Sequence, residues 1–271
     1  MNVETVDILG SPALVADVVG DGPVVIFVHG IGGNRSNWAD QLRSLSGNYR
    51  AVAIDLRGYG DSQDPAGSLD FFDFVEDISR TLEFIGAKRA HLVGLSMGGL
   101  VVQAFYARHR ARTLSLTLAA CRPGDRPVFD DPKRFAAERI SSTASGEAAI
   151  TVEKMLPRLL GPNPSAHATR TIRASLEALH PEAYRKTMEA RLSIAPFLDM
   201  STIDVPTLVV AASHDAVAAT TQMRAIADQI PGCRYEVVDD AGHLMNIEKP
   251  DEFNTVLASF LNTHATLEQT V

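Results

Sequence analysis

Apolar residues fall along this chain in two rhythms. Short runs rich in Val, Ile, Leu and Ala occupy 13–19, 24–28, 50–54, 91–93, 114–120, 207–212 and 235–238. Most are separated by stretches such as 72–85 and 221–230, in which apolar residues recur at helical spacing. The first rhythm predicts strands and the second amphipathic helices. Strands without polar alternation are buried on both faces, so the pattern predicts a mainly parallel sheet covered by helices, an α/β fold. The first two runs flank Gly20-Asp21-Gly22-Pro23, a turn signal that predicts an antiparallel hairpin at the start of the chain.

The spacing breaks once. Between Ala120 and Val205 there is no strand-like run, only helix-prone stretches at 131–142, 147–160, 165–179 and 182–193, punctuated by Pro157, Gly161-Pro162, Pro164, Pro181 and Pro196. A structureless loop of that length is implausible in a compact domain, so a helical insert over one edge of the sheet is expected. The domain reading is a core from 1–121 and 201–271 carrying a helical cap from 122–200. Charge separates the two. The cap holds 12 basic and 10 acidic residues, the remainder 13 and 23.

Composition narrows the function classes. With 271 residues, 45% hydrophobic and 21% charged, the chain is globular and long enough to bury a core without disulfides or a structural metal. Its net charge of −8 argues against nucleic acid or an anionic membrane as partner. Cys121 and Cys233 lack any CxxC or Cys/His spacing, so they read as free thiols in a reducing compartment, with no zinc site. No basic leader and no apolar run of membrane-spanning length is found, and a cytoplasmic protein is expected. Both a monomer and a homodimer are compatible with these features.

Candidate chemistry sits at strand ends. Gly94-Leu95-Ser96-Met97-Gly98 follows one strand-like run and precedes a helical stretch. A strand-to-helix turn this tight strains its central residue and brings neighbouring backbone close, which accounts for the flanking glycines; Ser96 would project above the sheet. The alternative is a serine that only caps the helix. A serine nucleophile needs a base, and the base needs a third group to orient it. His243 follows the run at 235–238 and Asp215 follows that at 207–212, so both lie beyond strand ends, where open parallel sheets build their sites. Asp125, Asp239 and Asp240 are rival acids. The loop His29-Gly30-Ile31-Gly32-Gly33 could supply one oxyanion donor from Ile31, the other coming from the Met97 N–H. His29 reads as a structural histidine shaping that loop, and no nucleotide-binding glycine spacing is present.

Those motifs, with Asp55-Leu56-Arg57-Gly58-Tyr59-Gly60-Asp61-Ser62 and Ala241-Gly242-His243, resemble the α/β-hydrolase family over nearly the whole chain. The resemblance implies an eight-stranded, mostly parallel sheet flanked by helices, a helical cap inserted after strand 6, and no cofactor. It implies Ser96 as nucleophile, His243 as base, Asp215 as acid, and Ile31 and Met97 as oxyanion donors. Within the family the loop, elbow and short cap are most similar to 3-oxoadipate enol-lactone hydrolases and related small esterases. The chain departs from the family pattern at Ala212, where Gly is usual, and at Ala219, where Pro is common. Asp55 and Arg57 are expected to brace the loop around Gly58 and Gly60.

The expected activity is that of a carboxylesterase or lactonase acting on a small, mainly apolar substrate through an acyl-enzyme. Trp38, Phe129, Phe135, Met155, Leu159, Met188, Phe197 and Leu244 are candidate pocket walls, each weighed against an ordinary core role. Arg122, Arg126, Arg134 and Arg158 could attract a substrate carboxylate, against the alternative of a solvated helix face. Two further readings compete: a carbon–carbon hydrolase or lyase on the same scaffold, and a non-catalytic ligand-binding receptor.

Overall fold

The computed structural model describes residues 2–127 and 148–264. Eight strands form one sheet: β1 (Glu4–Ile8), β2 (Leu14–Val19), β3 (Val24–Val28), β4 (Arg50–Asp55), β5 (Ala90–Leu95), β6 (Thr113–Ala119), β7 (Thr207–Ala212) and β8 (Arg234–Val238). They lie in the order β1-β2-β4-β3-β5-β6-β7-β8. Only β2 runs against its neighbours β1 and β4; every other pair is parallel. Strands β3, β5, β6 and β7 are buried along their whole length, and β5 and β6 carry His91, Ser115 and Thr117 into the interior among their apolar residues.

The expected hairpin between 13–19 and 24–28 does not form. β4 lies between the two strands, pairing Ala16 with Ile54 on one side and Ile26 with Val52 on the other. The link at 20–23 spans the two strand spacings, roughly 10 Å, that this arrangement demands. Gly20 and Gly22 take positive φ of 79° and 117° and press on backbone carbonyls of the loop before β4, where a Cβ would not fit. The true hairpin is β1–β2, with Ile8 opposite Leu14. β1 carried no apolar run because it is an exposed edge strand.

Helices α1 (Ala39–Leu45), α2 (Asp73–Phe84) and α3 (Met97–Arg108) follow β3, β4 and β5. Between β6 and β7 the described chain holds α4 (Ala148–Leu159), α5 (Ala166–Glu177) and α6 (Pro181–Leu192). The expected helix at 131–142 lies outside the described residues. After β7 come α7 (Thr220–Ala227), α8 (Met245–Glu248) and α9 (Pro250–His264). Helices α4 and α5 carry their own apolar cluster, built from Val152, Leu156, Leu159, Ala168, Ile172 and Leu176 and joined to the rest of the molecule by Ile247, whereas Ala190 of α6 belongs to the sheet core. The insert is also tied to the loop after β4, through Lys186 Nζ donating to the Pro65 carbonyl at 2.8 Å and His180 Nδ1 against Asp64 at 2.6 Å.

That loop is braced by charge. The buried Asp55 carboxylate accepts from the Asp61 N–H at 2.9 Å and pairs with the Arg35 guanidinium, which also reaches Asp17 at 3.0 Å and Asp61 at 2.7 Å. Arg57 binds Asp77 at 2.7 Å instead of the loop itself. Gly60 has a φ of 55° and lies against the Asp55 carboxylate, leaving no room for a side chain.

Candidate active site

β5 ends at Leu95 and α3 begins at Met97, so Ser96 alone makes the turn. Its φ of 56° and ψ of −114° lie in a region that side chains rarely adopt. The strain is held by surroundings: the Ser96 N–H donates to the Ala119 carbonyl at 2.9 Å, and Gly94, Gly98 and Gly99 press on Gly98, Val28 and Cys121 where any Cβ would overlap them. The Ser96 side chain makes no capping hydrogen bond, which disposes of the reading that it only caps α3.

Asp215 and His243 meet beyond the ends of β7 and β8. The imidazole Nδ1 lies 2.9 Å from Asp215 Oδ2, with both side chains buried. Asp215 Oδ1 accepts the N–H groups of Val217 and Ala218 at 2.7 and 2.9 Å, which orients the carboxylate. Because the carboxylate accepts from Nδ1–H, the neutral imidazole keeps Nε2 as its free lone pair. The departures at Ala212 and Ala219 leave this geometry whole: Ala219 holds a φ of −54°, within the range a proline would impose.

The rival acids are engaged elsewhere. Asp125 pairs with Arg126 at 2.7 Å, Asp240 with Lys249 at 2.8 Å, and Asp239 is exposed. His29 uses both ring nitrogens on backbone, Nδ1 on the Gly30 carbonyl at 2.8 Å and Nε2 on the Leu56 N–H at 3.2 Å. Its burial pushes the imidazole pKa down, and it shapes the loop as expected.

Ser96 and His243 line one cavity of about 260 Å³, together with Gly30, Ile31 and Gly32. Among the described residues the Ser96 hydroxyl makes no hydrogen bond, and the N–H groups of Ile31 and Met97 have no protein acceptor. The first amides of a helix have no intrahelical acceptor, so the Met97 N–H stands as a donor at the positive end of α3, next to the cavity-lining Ser96.

Of the expected walls, Trp38, Met155, Leu159, Met188 and Leu244 line the cavity. Trp38 is also core, only 1% exposed and packed on Phe27 with ring centroids 5.0 Å apart. Phe197 does not line it. Its N–H donates to the Gly124 carbonyl at 2.8 Å, which seats the ring against Phe72, with centroids 5.8 Å apart. Phe129 and Phe135 lie outside the described residues, as does Arg134. Arg122 and Arg158 line the cavity, whereas Arg126 is held outside by Asp125.

Sequence reasoning missed the polar wall. Asn37 Nδ2 donates to Ser175 Oγ at 2.7 Å, and Asn246 Nδ2 donates to the Asn37 carbonyl at 2.8 Å. Tyr184 and Arg191 line the cavity from α6. Residues 138 positions apart join here, and no local pattern announces such a pair. Among the described residues no group of three His, Cys, Asp or Glu side chains could hold a metal ion.

The solved structures most like this one include a thermophilic esterase from Thermogutta terrifontis, 26% identical at a TM-score of 0.89, covering 98% of this chain and 100% of that one. An enol-lactonase from Burkholderia xenovorans is 27% identical at a TM-score of 0.84, covering 96% and 100%. Among curated proteins, 3-oxoadipate enol-lactonase 1 of Acinetobacter baylyi is 27% identical over 242 residues, 89% of each chain. Residues 25–256 match the sequence model of the alpha/beta hydrolase family, and the chain, with its eight-stranded sheet and its serine at a strand-to-helix elbow, is an enzyme of that family.

Proposed function

We propose that this hydrolase cleaves an ester or lactone of a small, mainly apolar substrate through an acyl-enzyme on Ser96. The observation that carries the reading is the buried Asp215–His243 pair opening on the same cavity as the strained Ser96. Ser96 Oγ attacks the carbonyl carbon while His243 Nε2 takes its proton, and Asp215 compensates the imidazolium charge. The N–H groups of Ile31 and Met97 receive the oxyanion. Collapse of the tetrahedral intermediate breaks the carbonyl carbon–oxygen bond, and His243 returns the proton to the leaving alkoxide. Water, deprotonated by His243, then attacks the acyl carbon and frees the acid and Ser96.

Residues 122–200 serve in this reading as a cap over the core formed by 1–121 and 201–271. The cap contributes Met155, Leu159 and Met188 as apolar walls and Arg122 and Arg158 as cations. A cavity of about 260 Å³ suits a small substrate. The two guanidiniums favour one bearing a carboxylate, and the Thermogutta terrifontis esterase was solved with malate, a dicarboxylate, bound. Among the described residues no helix is long and apolar enough to cross a membrane. A cytoplasmic setting fits the two free cysteines.

The test is a panel of p-nitrophenyl esters, lactones and vinylogous diketones, with mass spectrometry of the trapped enzyme. Turnover of esters or lactones with an acyl mass on the Ser96 peptide is expected. Turnover of diketones alone would assign carbon–carbon cleavage, and ligand affinity without any turnover would make the protein a receptor.

A further inference from the structure

The base-bearing loop is fastened to the insert by one carboxylate that the proposed mechanism does not use. Glu248 ends the four-residue α8, five positions after His243, and is only 7% exposed. Its Oε1 accepts the Gly242 N–H at 2.9 Å, immediately before the histidine. Its Oε2 accepts the Gly161 N–H at 2.7 Å, just past the end of α4. The seam between these segments is closed by the His243 N–H, which donates to the Leu159 carbonyl at 2.9 Å. The two backbones touch so closely that a Cβ on Gly161 would lie 2.8 Å from the Gly242 nitrogen, and one on Gly242 would lie 2.5 Å from the Gly161 nitrogen. Within α8 the neighbours divide between both bodies: Met245 belongs to the sheet core and Ile247 to the insert's apolar cluster.

We propose that Glu248 is a positioning residue that locks the His243 loop to the segment just past α4, coupling placement of the imidazole to the cavity wall formed by Arg158 and Leu159. The inference rests on His243 as the base of the proposed reaction. A carboxylate suits the task because it accepts on both oxygens, and each oxygen serves one of the two segments. Its amide isostere offers one acceptor and one donor, so one of the two N–H groups would face an N–H.

The experiment compares the wild-type protein with Glu248→Gln, Glu248→Asp and Glu248→Ala, each held well below its unfolding temperature. Three quantities are measured: the rate of Ser96 phosphonylation by a fluorophosphonate, kcat and KM for p-nitrophenyl acetate, and the downfield proton NMR signal of the His243 Nδ1–H bonded to Asp215. Displacement of a catalytic group by about 1 Å can cost on the order of 10²-fold. Glu248→Gln is therefore expected to lose roughly 10-fold in kcat and in phosphonylation rate, and Glu248→Ala roughly 10²-fold, with the Nδ1 proton broadened by exchange. Glu248→Asp, which keeps the charge and shortens the reach, should fall between wild type and Ala. If Glu248→Ala does not fold, Gln and Asp carry the comparison. Folded variants with wild-type rates and an unchanged Nδ1 signal would overturn the proposal while leaving the acyl-enzyme reading in place. A wild-type protein inert to the probe and to esters would overturn that reading instead, and the Nδ1 signal would then decide whether Glu248 positions His243.

Discussion

Ser96 shows how much chemistry one backbone angle can carry. A positive φ at the only residue between β5 and α3 lifts the hydroxyl clear of both elements, and the surrounding close contacts prevent its relaxation. Ser96→Ala should keep the fold, since alanine needs no more room, and should lose at least about 10³-fold in kcat for any ester the wild type turns over. Gly98→Ala tests the elbow by another route. Its new Cβ would overlap the Val28 carbonyl oxygen, so the turn must open; the expected result is loss of Ser96 labelling together with a lower unfolding temperature in a thermal melt. At the cavity rim, Arg122→Ala and Arg158→Ala should each raise KM for a carboxylate-bearing ester by roughly 5- to 10-fold, leaving the neutral methyl ester unchanged. Equal effects on both esters would remove the carboxylate from the substrate description.

At the scale of elements, the molecule is two apolar bodies of unequal size. The sheet core is continuous from β2 to β8 and takes in Ala190, Ile194 and Leu198 of the insert, whereas α4 and α5 rely on a small cluster between them. A small cluster opens more easily than a large one. Leu156→Ala, which deletes a side chain buried in that cluster and set back from the cavity lining, should cost about 2–5 kcal/mol locally. Hydrogen exchange should then quicken across α4 and α5 while the amides of β3, β5 and β6 stay protected. The helices at 72–85, 165–179 and 182–193 were legible from their period and appear within a few residues of those limits. The strand partners of 13–19 were not. A turn signal reports that the chain reverses and says nothing about whether another strand will enter the gap.

For the whole molecule, buried neutral histidines tie stability to pH. His29 and His91 lie inside the core, where burial disfavours the charged imidazole, and His91 is pushed down to about 4, helped by the nearby His264 and Arg89. In the unfolded chain both titrate near 6.5, so below that value the unfolded state binds more protons and stability falls as the pH drops. For His91 the loss continues until the folded imidazole itself protonates near 4. It should amount to about 2 kcal/mol between pH 7.5 and pH 5. Urea unfolding at the two pH values measures it, and His91→Gln should flatten the difference by that amount.

Local chemistry determines a large share of this protein. Runs rich in apolar residues mark seven of the eight strands, most plainly β3 and β7, which are buried along their whole length and so need apolar side chains on both faces. The elbow is readable because only glycines permit backbone to approach that closely, and Asp215 and His243 are readable because each follows a strand at the carboxyl edge of the sheet. Tertiary structure decided what depends on distant chain segments meeting. It set β4 between β2 and β3, turned Phe197 onto Phe72 and away from the cavity, brought Asn37 to Ser175, and aimed Glu248 at Gly161 and Gly242 together. Such contacts are chosen by packing, and each partner, read alone, is an ordinary polar or aromatic residue with nothing in its neighbours to say whom it will meet.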